Sequence, residues 1–259
     1  MSPPLVAAYL PSAKARAALR GAVPRGRARL MICRAPAQLE RAVSRALTDA
    51  VVLDVHAPGA RELLVRCRAA WPRVPRFAYA AFRPDDAQLV AACLAAGAMP
   101  IVEGVEDAVV GDLVLSQTAS AVRLAALAEA PRLLRLTEPL QERAWLEVLR
   151  RVGGPLRAAD VAKVLKVSRE HLSRQFGAGG APNLKRVIDL ARVATASDLL
   201  GNPGYNVRTA ARLLGFASAS HLSGAARRVA GVTARRLAGL GQGGVLAEFA
   251  RGRTRSRVA

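Results

Sequence analysis

The string Ser-x-x-His-Leu-Ser occurs twice, as SREHLS at 168–173 and as SASHLS at 218–223. The first copy runs on into Arg174, the second into Gly224. On a helix, Leu172 and Phe176 stand at i and i+4 on one face, so Glu170, Ser173 and Arg174 share the opposite one. These side chains suit hydrogen-bonded recognition rather than reaction chemistry. An arginine fork pairs bidentately with guanine, and a carboxylate accepts from cytosine N4. Glu170 has a plainer alternative, a solvated charge or an intrahelical partner for Arg174 at i+4. His171, beside the core leucine, suits packing or a phosphate contact better than base reading. In the second copy the outward polar tips are Ser218, Ser220 and Ser223, with His221 in the place of His171. Arg227 and Arg228 follow and suit phosphates, which position a protein without carrying sequence information.

Other chemistries find little support. Cys33, Cys67 and Cys93 are widely spaced and odd in number, which fits neither a disulfide framework nor a metal site. His56, His171 and His221 show no HExxH-type pairing. There is no nucleophile–base pair and no cofactor loop. The expectation is a protein that is not an enzyme, with no cofactor and no metal.

Charge points to the partner. The 259-residue chain carries a formal net charge of +20, unevenly spread. Residues 1–150 hold 20 Lys+Arg against 14 Asp+Glu, whereas residues 151–259 hold 19 against 5. A coding bias toward arginine would explain Arg replacing Lys, but not the shortage of acids after residue 150. A basic half implies a polyanionic partner, most often nucleic acid. No run of 18 apolar residues lacks a charge, and the start MSPPLVAAYL lacks a basic region before an apolar stretch. The expectation is therefore no membrane partner, no signal peptide and a cytoplasmic place.

The elements that would position the repeated serines can be read outward from them. ADVAKVLK-VSREHLSRQF (159–176) lies over RTAARLLGFASASHLSGAA (208–226), with one extra turn residue in the second. Each copy has a small residue, Ala162 or Ala211, where two helices would cross closely. Each has a tight turn, at Lys166–Val167 or Gly215–Phe216. Each then has a serine, Ser168 or Ser218, placed to cap a second helix that buries Leu172 or Leu222. This is helix-turn-helix grammar written twice. Between the copies, Leu184, Val187, Ile188, Ala191, Ala196 and Leu199 form an apolar stripe, which predicts one long helix ended by GNPG.

On these residues, 155–240 resembles the AraC/XylS-type DNA-binding domain. The matching letters are SREHLSRQF, ARVATASDLL with Arg192, Ala196, Leu199 and Leu200, then VRTAARLLGFASASHL and RRVAGVTARRL. The resemblance implies a seven-helix unit with two recognition helices on a rigid linker helix, entering successive major grooves of double-stranded DNA. It implies DNA contacts from Ser168, Arg169, Glu170, His171, Ser173, Arg174, Arg192, Ser218, Ser220, His221, Ser223, Arg227 and Arg228. The chain departs from the family at Gly224, Ala226 and Ala234, where Arg, Phe and Pro are usual. A recognition helix of glycine and alanines offers no long side chain to a base edge. The first copy is thus expected to specify sequence, and the second to position the protein.

The amino-terminal part alternates apolar runs at 5–10, 28–34, 50–57, 76–82 and 98–104 with helical patterns. All five runs read as buried strands, predicting a doubly wound, five-stranded parallel α/β sheet. TDAVVLDVHAPGARELLVRCRAA (48–70) and GAMPIVEG resemble a response-regulator receiver domain, with Asp54 at the place of the phosphoacceptor. Its supporting chemistry is missing. YLPSAK gives no acidic pair for Mg²⁺ after the first strand, AYAAF gives no hydroxyl after the fourth, and Glu103 stands where a lysine is needed. The expectation is a pseudo-receiver, with Asp85 and Asp86 starting a helix.

The organisation expected is a receiver-like domain at 1–122, connecting helices at 123–154, an AraC-type DNA-binding domain at 155–240, and a basic, disordered tail at 241–259. The function expected is transcriptional regulation. A homodimer through the amino-terminal domain and RNA polymerase are the further candidate partners. The alternatives are a phosphorylation-switched response regulator and a protein-interaction module on a relic DNA-binding fold.

Overall fold

The computed structural model describes residues 3–24, 26–177 and 180–252. They form two compact units, one chiefly of residues 3–122 and one of 123–201 with 205–252.

The first unit is built on five parallel strands: β1 (Leu5–Tyr9), β2 (Arg29–Cys33), β3 (Ala50–Leu53), β4 (Arg76–Ala80) and β5 (Ala98–Val102). Their order is β2-β1-β3-β4-β5, a doubly wound order whose chain reversal lies between β1 and β3. Strands β1, β3 and β4 are buried along their whole length, because a parallel sheet is covered on both faces by its crossover helices. The expectation of five buried strands fails at β2. Arg29 and Met31 are exposed and alternate with half-buried Leu30 and Ile32. It is an edge strand, and among the described residues no strand pairs with its outer side.

The connecting helices are α1 (Ala13–Ala22), α2 (Pro36–Arg45), α3 (Ala60–Ala70), α4 (Ala87–Ala95), α5 (Val110–Ser116) and α6 (Ala119–Ala126). On one face Val6, Ala8, Val52, Tyr79 and Ile101 pack with Leu19 of α1 and with Val110 and Val114 of α5. Asp85 and Asp86 lie in a 3-10 turn that leads into α4. Gly97 ends the α4 turn at φ +67°, donating its N–H to the Leu94 carbonyl at 2.8 Å.

The second unit is all helical. It comprises α7 (Ala130–Leu133), α8 (Pro139–Arg150), α9 (Ala158–Leu165), α10 (Arg169–Gly177), α11 (Leu184–Leu200), α12 (Val207–Leu213), α13 (Ala219–Ala230) and α14 (Leu237–Gly252). The apolar-stripe reading of α11 understates its burial. Thr195, Ser197 and Arg192 are interior along with the aliphatic residues. The Thr195 hydroxyl donates to the Ala191 carbonyl at 2.8 Å, and that of Ser197 to the Ala194 carbonyl at 2.7 Å. Both polar groups are satisfied within the helix, so burial leaves neither unpaired.

Two expected boundaries need correction. Helix α8 is more than a connector: Trp145 and Val148 are fully buried, and Gln141 Nε2 donates to the Gln175 carbonyl of α10 at 2.7 Å. The tail expected to be disordered from 241 is helical to Gly252. Val245, Leu246 and Phe249 are buried, α14 packs on α11, and the Arg186 guanidinium lies 5.0 Å over the Phe249 ring. The glycines at 239, 241, 243 and 244 hid this helix from the sequence pattern, and Gly241 does kink it (φ 64°, ψ 178°). The rest of the tail, 253–259, lies outside the described residues. Seven helices are reached only by counting α8 to α14, beyond 155–240 at both ends.

Candidate nucleic-acid interface

The two serine repeats fold into matching motifs. In the first, α9 ends at Lys166 in the left-handed region (φ 57°). The Val167 N–H donates to the Ala162 carbonyl at 3.1 Å, and Ser168 Oγ accepts from the His171 N–H at 3.1 Å. In the second, α12 is followed by Gly215, also left-handed (φ 66°). The Phe216 N–H donates to the Ala211 carbonyl at 2.9 Å, and Ser218 Oγ accepts from the His221 N–H at 3.0 Å. The extra residue, Ala217, enters between the turn and the cap. These paired bonds close the helix carboxyl terminus and open the next one.

On each second helix the buried leucine lies opposite exposed polar residues. On α10, Leu172 and Phe176 are fully buried. Arg169, Glu170, Ser173 and Arg174 are exposed, and His171 is half-buried. On α13, Leu222 is buried, Ser220, His221, Arg227 and Arg228 are exposed, and Ser223 is half-buried. The Ser223 hydroxyl donates to the Ala219 carbonyl at 3.0 Å. Ser168 and Ser218 are exposed, but each spends an oxygen lone pair on its cap. Gly224 is half-buried, and an added Cβ would crowd the end of the Arg228 side chain, with Nη1 at 3.3 Å.

Arg192 needs correction. It was expected at the DNA surface, yet only 8% of it is exposed. Its Nε donates to the Leu214 carbonyl at 2.8 Å, and Nη2 to those of Gly215 at 2.6 Å and Gly154 at 3.4 Å. Its guanidinium lies 4.6 Å over the Phe216 ring, and the His221 ring meets Phe216 edge-on at 5.4 Å. Burial lowers the Arg192 pKa from its ordinary value. Arg192 therefore ties the linker helix to the second turn.

The motifs flank a cleft of about 530 Å³. Residues expected at the DNA surface, Arg169, His221 and Arg228, line it together with Arg157 and Lys185. Sequence reasoning did not single out Arg157 or Lys185. The available signal was their place, at the N-cap of α9 and in the first turn of α11. The Arg228–Asp189 approach is loose, at 3.9 Å.

In the first unit, Asp54 follows β3, with Oδ1 accepting from the His56 N–H at 2.9 Å. His56 Nδ1 lies 3.7 Å from Asp54, and Nε2 lies 3.0 Å from Asp86. The Arg83 backbone N–H, followed by His56, holds the Asp86 carboxyl below its usual range. After β1 stand Leu10, Pro11 and Ser12, and the Ser12 oxygen is used as the cap of α1. Two carboxylates on opposite nitrogens of one imidazole do not converge on an ion, so this place does not fit Mg²⁺. Among the described residues no group of three or more His, Cys, Asp and Glu could hold a metal. Burial raises the pKa of all three cysteines, that of Cys67 to about 11, as for inert thiols.

Residues 161–238 match the family model described as a helix-turn-helix domain. The match spans both turns and supports the AraC-type reading of this part of the chain. This is a DNA-binding domain of the transcription-regulator class. No curated protein and no solved structure matches the chain. No helix among the described residues is long and apolar enough to cross a membrane.

Proposed function

We propose that the protein is a sequence-specific transcription regulator that places α10 and α13 in successive major grooves on one face of DNA, about 34 Å apart. The observation that carries this reading is the pair of matched turns, held in one unit by the buried helix α11. Arg174 and Glu170, exposed with Ser173 on the outer face of α10, read bases. Arg169, His171, His221, Arg227 and Arg228 meet phosphates, and Ser220 adds a single hydrogen bond. The first motif specifies and the second positions.

The amino-terminal unit serves dimerisation, or takes input from a signal or partner such as RNA polymerase, without phosphorylation. What supports this is the absence of an acidic pair at Leu10–Pro11 and the engagement of Asp54 with His56. A second reading, an interaction module on a relic DNA-binding fold, draws on Gly224 and Ala226. Selection of bound genomic fragments, followed by titration in salt, separates the two. With about 6–10 phosphate contacts, log affinity falls with log salt at a slope of about −5 to −9. A slope near zero would remove nucleic acid as the partner.

A further inference from the structure

The cleft between the two motifs has walls that a phosphate backbone would not use. Leu156 and Ile188, 7% and 4% exposed, and Ala158 and Ala159 line it alongside the basic side chains and one carboxylate, Asp189. A phosphate group by itself has no apolar part to lay against such a wall. The cleft volume, about 530 Å³, falls within the range of about 300–1,000 Å³ usual for small-molecule sites. Around it, Arg157, Arg169 and Lys185 make no side-chain ion pair among the described residues, and Arg228 has only the loose approach to Asp189. The same cleft is lined by first-turn residues of four helices: Ala158 of α9, Arg169 of α10, Lys185 of α11 and His221 of α13. Helix amino termini add positive potential to that of the cations. Cations beside an apolar wall in a concave site of ligand size select one chemistry, an anionic head on an apolar body.

We propose that this cleft binds a small amphipathic organic anion, a carboxylate on an aliphatic or aromatic body, and that its occupant competes with DNA. The head pairs with Arg157, Arg169 and Lys185. The body lies over Ala158, Ala159 and the small exposed edges of Leu156 and Ile188. Competition follows because Arg169 would serve both ligands. That step rests on the DNA-binding reading, whereas binding of the anion does not.

The test is calorimetric titration of the full chain at fixed ionic strength, with octanoate as the probe. Acetate, inorganic phosphate and octanol each lack part of the chemistry. Octanoate is expected to bind one per chain and at least tenfold tighter than any of the three. The Arg157→Gln/Lys185→Gln variant, shown folded by circular dichroism, is expected to lose at least tenfold in octanoate affinity and to keep the weak octanol affinity. Octanoate no tighter than acetate or phosphate would overturn the site, leaving only a screened basic surface. So would octanoate binding that the double variant does not change. Gel shifts on selected DNA then test competition: saturating octanoate should displace DNA from the unmodified chain. Octanoate binding without displacement would overturn the competition alone. A chain that takes octanoate and shifts no DNA would sink the DNA reading and leave the anion site standing.

Discussion

Lys166 and Gly215 occupy the same corner of the two motifs, each just before the residue whose N–H closes the turn on Ala162 or Ala211, at φ 57° and φ 66°. The residue types differ because the surroundings do. Lys166 is exposed. At Gly215 an added Cβ would lie 2.3 Å from the Gly154 carbonyl carbon and the Pro155 nitrogen. Gly215→Ala thus meets backbone that cannot step aside, on top of the left-handed cost of about 1–2 kcal/mol for an L-residue. It should destabilise the domain by at least about 2 kcal/mol in urea unfolding. Lys166→Gly removes the left-handed cost and adds about 0.5–1 kcal/mol of glycine entropy, for a net gain of about 0.5–1 kcal/mol. A Gly215→Ala variant as stable as the parent would show that the backbone at 154–155 does not crowd this corner.

Arg192 is expected to act on stability rather than on DNA contact. Removing it orphans the carbonyls of Leu214 and Gly215, and each buried unsatisfied group costs about 1–3 kcal/mol. Arg192→Ala should lower unfolding stability by about 3 kcal/mol or more. Lysine cannot span two carbonyls while stacked on Phe216, so Arg192→Lys should recover less than half of the loss. Full stability in Arg192→Ala, with DNA affinity reduced, would return the residue to the DNA surface.

Asp54→Asn keeps an oxygen to accept the His56 N–H. DNA affinity and oligomeric state should be unchanged by the substitution and, in the unmodified protein, by acetyl phosphate. Gel shift and sedimentation with and without the phosphodonor check this. An acetyl-phosphate response abolished in Asp54→Asn would make the unit a working receiver.

What the sequence discloses follows from physical range. The serine caps, the paired leucines and the small residues Ala162 and Ala211 are local signals, so both motifs were legible from spacing alone. The sheet was legible too, because apolar runs separated by helical patterns admit few arrangements. The role of Arg192 was hidden: its partners are carbonyls 22 and 23 residues away, and a carbonyl has no letter of its own. Arg76 is similar. It is 5% exposed, with Nη1 on the carbonyls of Trp71 at 2.9 Å and Val74 at 2.8 Å. Helix α14 was missed because glycine carries no apolar pattern. The His56–Asp86 contact, across 30 residues, is tertiary and leaves no periodicity to find.

The asymmetry between the copies makes the sharpest prediction. Arg174 is exposed on the outer face of α10 and makes no ion pair among the described residues, so it can meet a base edge. Arg174→Ala should cost about 1–3 kcal/mol of binding and relax preference at one base pair. Arg228→Ala should weaken binding to all sequences alike and make the salt slope shallower by about 1. Its Asp189 contact, at 3.9 Å, is too loose to compete with a phosphate. Ser220→Ala should cost less than either, since one neutral hydrogen bond contributes about 1 kcal/mol net. Circular dichroism must show each variant folded, because Leu172 and Phe176 are fully buried on the helix that carries Arg174. Gly224→Arg completes the comparison. A Cβ there meets only the far end of the Arg228 side chain, which can step aside, and the change removes a mid-helix glycine that costs about 1 kcal/mol. It should raise both stability and DNA affinity. If Ser220→Ala relaxes specificity more than Arg174→Ala does, α13 reads the sequence and α10 positions the protein.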